Sequence, residues 1–406
     1  MKKWLLRILA GLLALLVVFV LALGFWPVSP DVPDVGAGGK AGDPSPPTRA
    51  DARGTGQTLT VNAGESIQAA VDRAKTGDTI RVMPGIYKEE VTIQTESLTL
   101  EGVLEGDQRP VLDGEGRRAN GVSAVGDYFT ISGFKVINYT SNGVTVQAVT
   151  GPIFRDLITD KTGDYGIFPI LSSAVVIENC VSSGVIDTGL YVGQSRGIVV
   201  RDSEAFGNVS GIEIENSVDA LVENNYSHDN TAGILVFILP GKTATEGSHT
   251  RVVNNLIENN NLENVALPEM IVNGVPPGSG LLIMAADETE VTGNTFSGNK
   301  SFAVAVIALT DFGELFGNRT EWDVPTLPEN NWIHANTYVD NGYDPDPFLI
   351  EAGFKGADLL WSASGAGNRW DDPSATQYPP LPSSAWPRFV SLAYGRILNF
   401  VVRRLS

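Results

Sequence analysis

Two glutamates separated by one residue are the side chains of this sequence whose types and spacing best suit acid–base chemistry. Glu213 and Glu215 lie in the stretch Ser-Gly-Ile-Glu-Ile-Glu, whose alternation of apolar and acidic residues predicts a β-strand. Both carboxylates would point to one face, with their Cα atoms about 6.7 Å apart. Two carboxyl groups about a sugar's width apart suit general acid and base chemistry on a glycan. The alternatives are solvated outward residues, or anchors for a Lys or Arg from a covering loop.

The strand belongs to a repeat. Glycine or alanine opens seven short apolar segments at steps of 23, 23, 22, 22, 47 and 23 residues, namely Gly143, Gly166, Gly189, Gly211, Gly233, Gly280 and Ala303. A second column with the same period consists of Gly133, Asp156, Asn179, Asp202, Asn224, Asn255, Gly293 and Ala335. Coils of about 22 residues with short strands and Asn-rich turns predict a parallel β-solenoid of roughly eight to ten coils. Asn and Asp at such turns tolerate left-handed backbone and, when stacked, can form amide ladders.

Alternation within each strand assigns an outer wall to the coils. Glu213 should stack with Thr145, Phe168, Tyr191, Leu235, Leu282 and Ala305, and Glu215 with Gln147, Ile170, Gly193, Phe237, Met284 and Ile307. Most of this wall is apolar, and an apolar outer face marks either a binding surface or a surface covered by another segment. In the first case Tyr191, Phe168 and Phe237 would bind the substrate, and Glu213 and Glu215 would be catalytic.

Further acidic residues lie at the edge of this wall. Asp164 and Asp187 each stand two residues before a strand glycine, so that Asp187 is a third catalytic candidate and both are candidate Ca²⁺ ligands. His228 and Asp229 are adjacent in a turn, where they are either acid–base candidates or polar turn residues. Because the chain has only three histidines, a transition-metal cluster is poorly supported.

A short amphipathic segment precedes the coils. Ile67, Ala70, Val71 and Ala74 form one apolar stripe and Gly77 closes it, which predicts a capping helix over about 64–76. This stretch, with Gly-Asp-Thr-Ile and Pro-Gly-Ile-Tyr, resembles the N-terminal cap of pectate-lyase-like right-handed β-helix proteins. The strings DYGIFPI, DTGLYVGQS and NVSGIEIENS resemble a narrower family, the exported bacterial parallel β-helix repeat proteins of uncharacterised function. That resemblance implies a right-handed β-helix and an envelope location, and it brings no established catalytic residues.

Charge narrows the classes of partner. The formal net charge of -19 argues against nucleic acid, which needs a basic surface. Lyases of this fold usually need a basic residue or calcium, and only nine Lys and Arg lie between 127 and 345. An unaided polyuronate lyase is therefore disfavoured, whereas a neutral glycan, or an anionic one met through Ca²⁺, fits. The shortage of histidine also weakens a further resemblance, to β-helix copper-handling accessory proteins of nitrous oxide reductase maturation.

The two ends of the chain differ from the coils. Residues 1–26 combine a basic start with an apolar run long enough to span a bilayer, which predicts an uncleaved inner-membrane anchor, the alternative being a cleaved signal peptide. Residues 27–57 read as a disordered linker, 58–370 as the β-helix and 371–383 as a Pro-rich tether. Residues 384–406 read as a basic amphipathic helix for an anionic membrane or a partner, the alternative being a cap on the solenoid. Cys180, the single cysteine, should be a small core residue.

These features predict an all-β, membrane-tethered periplasmic protein that binds or processes a cell-envelope or extracellular polysaccharide on its outer wall. If it is an enzyme, it is a carbohydrate-active hydrolase, lyase or epimerase. The alternative is a non-catalytic envelope scaffold that binds a protein partner through the wall and the C-terminal segment.

Overall fold

Three long parallel sheets make up the molecule. The computed structural model describes residues 56–380 apart from 317, 318, 320 and 363, together with 394 and 397. The sheets have 12, 10 and 11 strands, and the chain visits them in turn, so that each strand pairs in parallel with the corresponding strand of the next coil. The predicted parallel β-solenoid is therefore confirmed, and its sheets are longer than the roughly eight to ten coils expected from the repeat.

The strand bounds are as follows. Sheet 1 contains β1 (Thr58–Val61), β2 (Thr79–Val82), β5 (Thr99–Gly102), β8 (Thr130–Ser132), β11 (Ile153–Arg155), β14 (Ser173–Glu178), β17 (Arg196–Arg201), β20 (Val218–Glu223), β23 (Ser248–Val253), β26 (Glu290–Thr292), β29 (Trp332–His334) and β32 (Arg369–Trp370). Sheet 2 contains β3 (Gly85–Tyr87), β6 (Pro110–Asp113), β9 (Lys135–Ile137), β12 (Ile158–Asp160), β15 (Val181–Ser183), β18 (Glu204–Phe206), β21 (Tyr226–His228), β24 (Leu256–Glu258), β27 (Thr295–Ser297) and β30 (Thr337–Val339). Sheet 3 contains β4 (Val91–Ile93), β7 (Asn120–Ala124), β10 (Asn142–Gln147), β13 (Tyr165–Ile170), β16 (Thr188–Gly193), β19 (Ser210–Glu215), β22 (Ala232–Phe237), β25 (Ser279–Met284), β28 (Phe302–Ile307), β31 (Ala357–Trp361) and β33 (Gln377–Tyr378).

The glycine column is explained by crowding at the start of the sheet 3 strands. A Cβ added to Gly166 would lie 2.5 Å from the carbonyl oxygen of Gly189, and one added to Gly211 would lie 2.7 Å from that of Gly233. Such separations are far below van der Waals contact, so a side chain would force neighbouring coils apart. The repeat read from the sequence is therefore a packing constraint.

The second column marks a left-handed backbone turn between sheets 1 and 2. Asn179 and Asn224 have φ angles of 52° and 55°, as expected for Asn in this conformation. One member of the column was misassigned. Asn255 was predicted, but the residue with the positive φ angle, 55°, is Asn254. Asn255 instead belongs to an inner ladder, in which the side-chain Nδ2 of each Asn donates to the Oδ1 of the Asn one coil further on; the ladder runs through Asn225, Asn255, Asn294 and Asn336.

The capping helix is shorter than predicted. Helix α1 spans Ile67–Val71, with Ser66 as its N-cap, where about 64–76 was expected. Beyond the helix, Asp78 Oδ2 accepts the backbone N–H of Lys75 at 2.9 Å and holds a turn there. Ile67, Ala70 and Val71 are buried, so the predicted apolar stripe does pack on the end of the coils. Cys180 is also buried, as predicted, and burial raises the pKa of its thiol to about 12.

The ends of the chain are described only in part. The predicted anchor, residues 1–26, and nearly all of the predicted linker lie outside the described residues, among which no helix is long and apolar enough to cross a membrane. Strand β33 pairs with β31, so the coils extend past residue 370 into the segment expected to be a tether. Most of the predicted 384–406 helix lies outside the described residues. Its Tyr394 is helical and packs partly buried against the main core.

Candidate functional site

The two glutamates lie where the repeat places them. In sheet 3, Glu213 pairs with Tyr191 on one side and Leu235 on the other, and Glu215 pairs with Gly193 and Phe237. Ile212 and Ile214 point to the opposite face and are 0% and 1% exposed. The predicted stacking of the outer wall is confirmed from Thr145 and Gln147 to Ala305 and Ile307.

Most of the outer wall is covered. Thr145, Phe168 and Ile170 are partly exposed and Gln147 is exposed, but from Tyr191 to Ile307 every wall position is buried. The cover includes residues of three excursions, 238–247, 259–278 and 308–331, which contain the 3₁₀-helices Ile271–Gly274 and Leu309–Phe316. Val272, Val275 and Val324 of these excursions belong to the same core as Leu282 and Met284. Over its C-terminal half, the apolar wall is therefore covered by other segments of the protein and is not a surface open to solvent.

A chain of hydroxyl and carboxyl groups lies at the boundary between the exposed and covered parts. Thr188 Oγ1 is 2.7 Å from Glu213 Oε2 and 3.0 Å from Asp187 Oδ1. Tyr165 donates its hydroxyl to the other oxygen of Asp187 at 2.8 Å. Glu213 and Asp187 are 2% and 6% exposed, so their charges are poorly hydrated.

The geometry favours one proton held within this series of hydrogen-bonded hydroxyl and carboxyl groups. A threonine hydroxyl has one hydrogen to donate, yet Thr188 Oγ1 contacts two carboxyl groups. A proton on one of these groups, donated to Thr188, satisfies both contacts. Desolvation, followed by repulsion from Asp187 and Glu215, raises the pKa of Glu213 well above its usual value, and desolvation raises that of Asp187 to about 6. Burial and the neighbouring carboxylates therefore favour the protonated form of Glu213, in which Glu213 donates to Thr188 and Thr188 donates to Asp187.

Glu215 has a different environment. Its Oε1 lies 3.1 Å from Lys242 Nζ in the first excursion. That oxygen is buried and, among the described residues, no group meets it with hydrogen-bond geometry, so we regard the lysine contact as an ion pair. The ring of Tyr191 lies over Gly193, where a Cβ would collide with it. Its hydroxyl is thereby placed beside Glu215, the residue paired with Gly193. The expected alternative, an anchor for a covering Lys, accounts for this contact.

Three aromatic rings flank the carboxyl groups. Phe168 stacks on Tyr191 with ring centroids 4.6 Å apart, and Tyr165 lies 4.3 Å from Phe168. Of the three substrate-binding residues predicted, Phe168 is partly exposed, whereas Tyr191 and Phe237 are each 2% exposed. In this structure only Phe168 presents its ring to solvent, because the excursions cover the other two.

His228 and Asp229 lie elsewhere. His228 is in β21 of sheet 2, on a different sheet from Glu213. Adjacency did not require their side chains to meet, but they do: His228 Nδ1 is 2.8 Å from Asp229 Oδ2, and its Nε2 is 3.0 Å from Glu204 Oε1. Although burial opposes it, these two carboxylates raise the pKa of His228. The imidazole also stacks on Tyr226 and Phe206, as a side-chain ladder between coils would.

The predicted calcium ligands Asp164 and Asp187 lie on neighbouring coils, where the backbone N–H of Asp187 donates to the carbonyl oxygen of Asp164 at 3.2 Å. Within the described part of the chain, no group of three or more His, Cys, Asp or Glu side chains is placed to hold a metal ion. Asp187 already accepts hydrogen bonds from two hydroxyl groups. Asp164 lies 3.5 Å from the hydroxyl of Ser141, and burial raises its pKa.

Sequence reasoning missed three residues of the site: Tyr165, Thr188 and Lys242. Tyr165 and Thr188 stand immediately before the strand glycines Gly166 and Gly189, so an alignment of that column would have found them. Lys242 lies in an excursion outside the repeat, where no periodic signal predicts which side chain reaches the wall.

Comparison with known proteins supports the fold. A family model described as a right handed beta helix region matches residues 120–245. The A-module of mannuronan C-5 epimerase AlgE6 from Azotobacter vinelandii superposes with a TM-score of 0.52 at 15% identity, over 76% of this chain and 86% of that one. The fold is a right-handed parallel β-helix. The predicted resemblance to proteins of this fold is confirmed.

Two further solved structures are similar. An alginate lyase from Paenibacillus sp. str. FPU-7 has 16% identity and a TM-score of 0.49, over 70% of this chain and 95% of that one. A DFA-IIIase from Arthrobacter chlorophenolicus A6 has 14% identity and a TM-score of 0.45, over 79% and 93%. No curated protein matches this sequence. Identities this low speak only to the β-helix architecture.

Proposed function

We propose that this β-helix protein binds a polysaccharide on the outer face of sheet 3 and processes it with Glu213 as the proton donor. The observation that carries the proposal is the single hydroxyl of Thr188 shared between Asp187 and Glu213. A carboxylic acid with a raised pKa is the group needed to protonate a leaving glycosidic oxygen while water attacks the anomeric carbon and the carboxylate of Glu215 accepts the proton of that water. Similar folds that act on alginate, such as the epimerase and lyase above, are consistent with a polysaccharide substrate.

The surrounding groups give each carboxyl a separate role. Thr188 and Tyr165 stabilise Asp187 as an anion, and that anion favours the protonated form of Glu213. When Glu213 releases its proton, Thr188 can turn its hydroxyl from Asp187 to Glu213 and stabilise the new carboxylate. Lys242 balances the charge of Glu215. The partly exposed ring of Phe168 supplies an apolar face on which a sugar can stack.

The excursions must move for the substrate to reach Glu213. The carboxyl groups of Glu213 and Glu215 are 2% and 4% exposed, whereas Phe168 and Thr145 on the preceding coils are partly exposed. We therefore place the entrance on the N-terminal side of Tyr191, next to these partly exposed residues.

A second function is favoured by the same burial. If the excursions never open, the carboxyl groups are internal and the protein is a non-catalytic scaffold that binds an envelope partner. In both cases we propose an envelope location, with residues 1–26 as the anchor. Protease accessibility of the β-helix in intact spheroplasts tests that location, and protection from added protease would contradict it.

The test of function uses the full-length protein and its Glu213→Gln variant. We expect wild type to bind or cleave a member of a polysaccharide panel, assayed with and without Ca²⁺, and the variant to lose cleavage while keeping its fold. The matched control is Asp287→Asn, because burial also raises the pKa of Asp287, to about 7, in a coil beyond the site. Silence across the panel would favour the scaffold, whereas equal cleavage by wild type and Glu213→Gln would show that Glu213 is not the proton donor.

A further inference from the structure

A groove lies beside the candidate site, at the corner where the chain passes from sheet 3 to sheet 1. Its volume is about 460 Å³, within the range of ligand sites. Its floor is formed by the turn residues of four successive coils, and one wall is formed by residues 243–246 of the first excursion. Since coils stack at about 4.8 Å, the floor is about 14 Å long.

The floor repeats the same backbone geometry in every coil. Ala148, Leu171, Gln194 and Asn216 occupy equivalent turn positions and have φ angles of 56°, 54°, 53° and 45°. Each is followed by one residue of an internal ladder; for example, Ser172 N donates to Ser195 Oγ at 2.9 Å. The groove is therefore a rigid, periodic surface with one similar step in each coil.

The excursion wall is fixed to this floor. Gln194 Oε1 accepts the backbone N–H of Thr243 at 2.7 Å, and Asn216 Nδ2 donates to the carbonyl oxygen of Ala244 at 2.8 Å. Lys242, on the same excursion, forms the ion pair with Glu215. The first excursion therefore contacts both the groove and the buried carboxyl cluster.

Polar side chains of the groove are left with unused hydrogen-bonding capacity. Among the described residues, the guanidinium of Arg196, the side-chain Nε2 of Gln194 and the hydroxyl of Thr245 have no hydrogen-bond partner. Glu246 supplies a carboxylate, so the charged lining is one cation and one anion. A lining of hydroxyl, amide and mutually compensating charged groups is suited to a ligand rich in hydroxyl groups and without net charge.

We propose that this groove binds a neutral oligosaccharide segment, extended along the axis of the β-helix with its hydroxyl groups contacting Gln194, Arg196 and Thr245. A periodic ligand fits a periodic floor, because successive sugars meet the equivalent turn of successive coils. The inference rests on the proposed function insofar as the segment in the groove is part of the polysaccharide that reaches Glu213. It names the class of that polysaccharide as neutral.

The test is isothermal titration of the full-length protein with neutral hexasaccharides, namely those of cellulose, xylan, mannan, β-1,3-glucan and chitin. A mannuronate hexasaccharide is the anionic comparison. Thr245→Trp fills the groove and Arg196→Gln removes its cation, and both residues are exposed, so the fold should be retained. The matched control, Thr337→Trp, places the same side chain at an exposed position on sheet 2.

We expect one neutral hexasaccharide to bind, and both groove variants to weaken it by about tenfold or more, equivalent to about 1.4 kcal/mol. Thr337→Trp should bind as wild type does. The groove proposal would be overturned if no neutral hexasaccharide bound. It would also be overturned if the mannuronate were preferred or if Thr245→Trp kept full affinity. Cleavage that depends on Glu213 but not on Thr245 would overturn the groove proposal and leave the proposed function standing. Groove binding without any cleavage would overturn the proposed function alone.

Discussion

Replacing Asp187 with Asn should change how stability depends on pH. Burial raises the pKa of Asp187 to about 6 from its usual 3.8. Since a pKa unit corresponds to 1.36 kcal/mol, ionisation of this group in the folded protein costs about 3 kcal/mol in total. Because the folded-state pKa of an acid is raised, the stability is present at low pH and is lost as pH rises through 6.

Only part of this change in stability can be measured, because the pH range of the experiment has a lower limit. The sequence pI near 4.5 predicts poor solubility below pH 5, so the experiment runs from pH 5 to pH 8. Over that interval a group with pKa values of about 3.8 unfolded and 6 folded removes about 1.4 kcal/mol from the free energy of unfolding. Asparagine at position 187 cannot ionise. The free energy of unfolding of Asp187→Asn, relative to that of wild type, should therefore rise by this amount between pH 5 and pH 8.

The assay is equilibrium urea unfolding of the full-length protein, followed by tryptophan fluorescence at half-unit steps of pH. Loss of a carboxylate acceptor for Tyr165 and Thr188 offsets the Asp187→Asn curve, and loss of the Asp187 charge also removes one cause of the raised pKa of Glu213, so the diagnostic is how the difference from wild type changes with pH. The exposed Asp107→Asn serves as the matched control. If the difference between Asp187→Asn and wild type stays constant from pH 5 to pH 8, Asp187 is not desolvated as the structure shows, and the proton chain to Glu213 is refuted.

The remaining predictions concern the coils and the cover. Asn230→Ala breaks a ladder in which Nδ2 donates to Asn260 Oδ1 at 3.0 Å and to Ala205 O at 2.9 Å, and should lower the free energy of unfolding by about 3 kcal/mol in urea titrations; a loss under 1 kcal/mol would contradict the ladder's importance. Gly211→Ala should fail to form compact protein by gel filtration, because its Cβ would meet the carbonyl of Gly233 at 2.7 Å, and a normally folded product would contradict this. Cys180 should react with a thiol reagent at pH 8 only after unfolding, since its thiol is buried with a pKa of about 12; rapid labelling of the native protein would show that the coils open there.

The periodic parts of the molecule were predictable from the sequence because a β-helix repeats its geometry. Crowding at the strand start permits only glycine at Gly166, and the left-handed turn selects residues such as Asn179. Each requirement recurs every coil and leaves a column that can be aligned. The single misassigned position, Asn255 for Asn254, arose where the insertion after Phe237 obscures the count and two asparagines stand together.

The candidate site could be predicted only in part. The register brought Glu213, Glu215 and Tyr191 together correctly, because it follows from the repeat. The cover and its Lys242 belong to excursions that occur once, so their path depends on tertiary contacts such as that of the Gly241 amide with Asp323 at 3.0 Å. For this reason the sequence could not decide whether the wall was a surface or core.

The burial of Glu213 and Glu215 is difficult to explain by a structural role alone. One coil further on, the positions of Glu213 and Glu215 are occupied by Leu235 and Phe237 in the same strand register, both fully packed. The covered wall therefore accepts apolar side chains at these positions. Placing a carboxyl group in such a site costs free energy unless it is neutralised or paired; here burial favours the protonated form of Glu213, and Glu215 is paired with Lys242. A wall selected only for stability would extend the apolar column, so the acids require a reason beyond packing, and the proton transfer to a glycan that we propose would be such a reason.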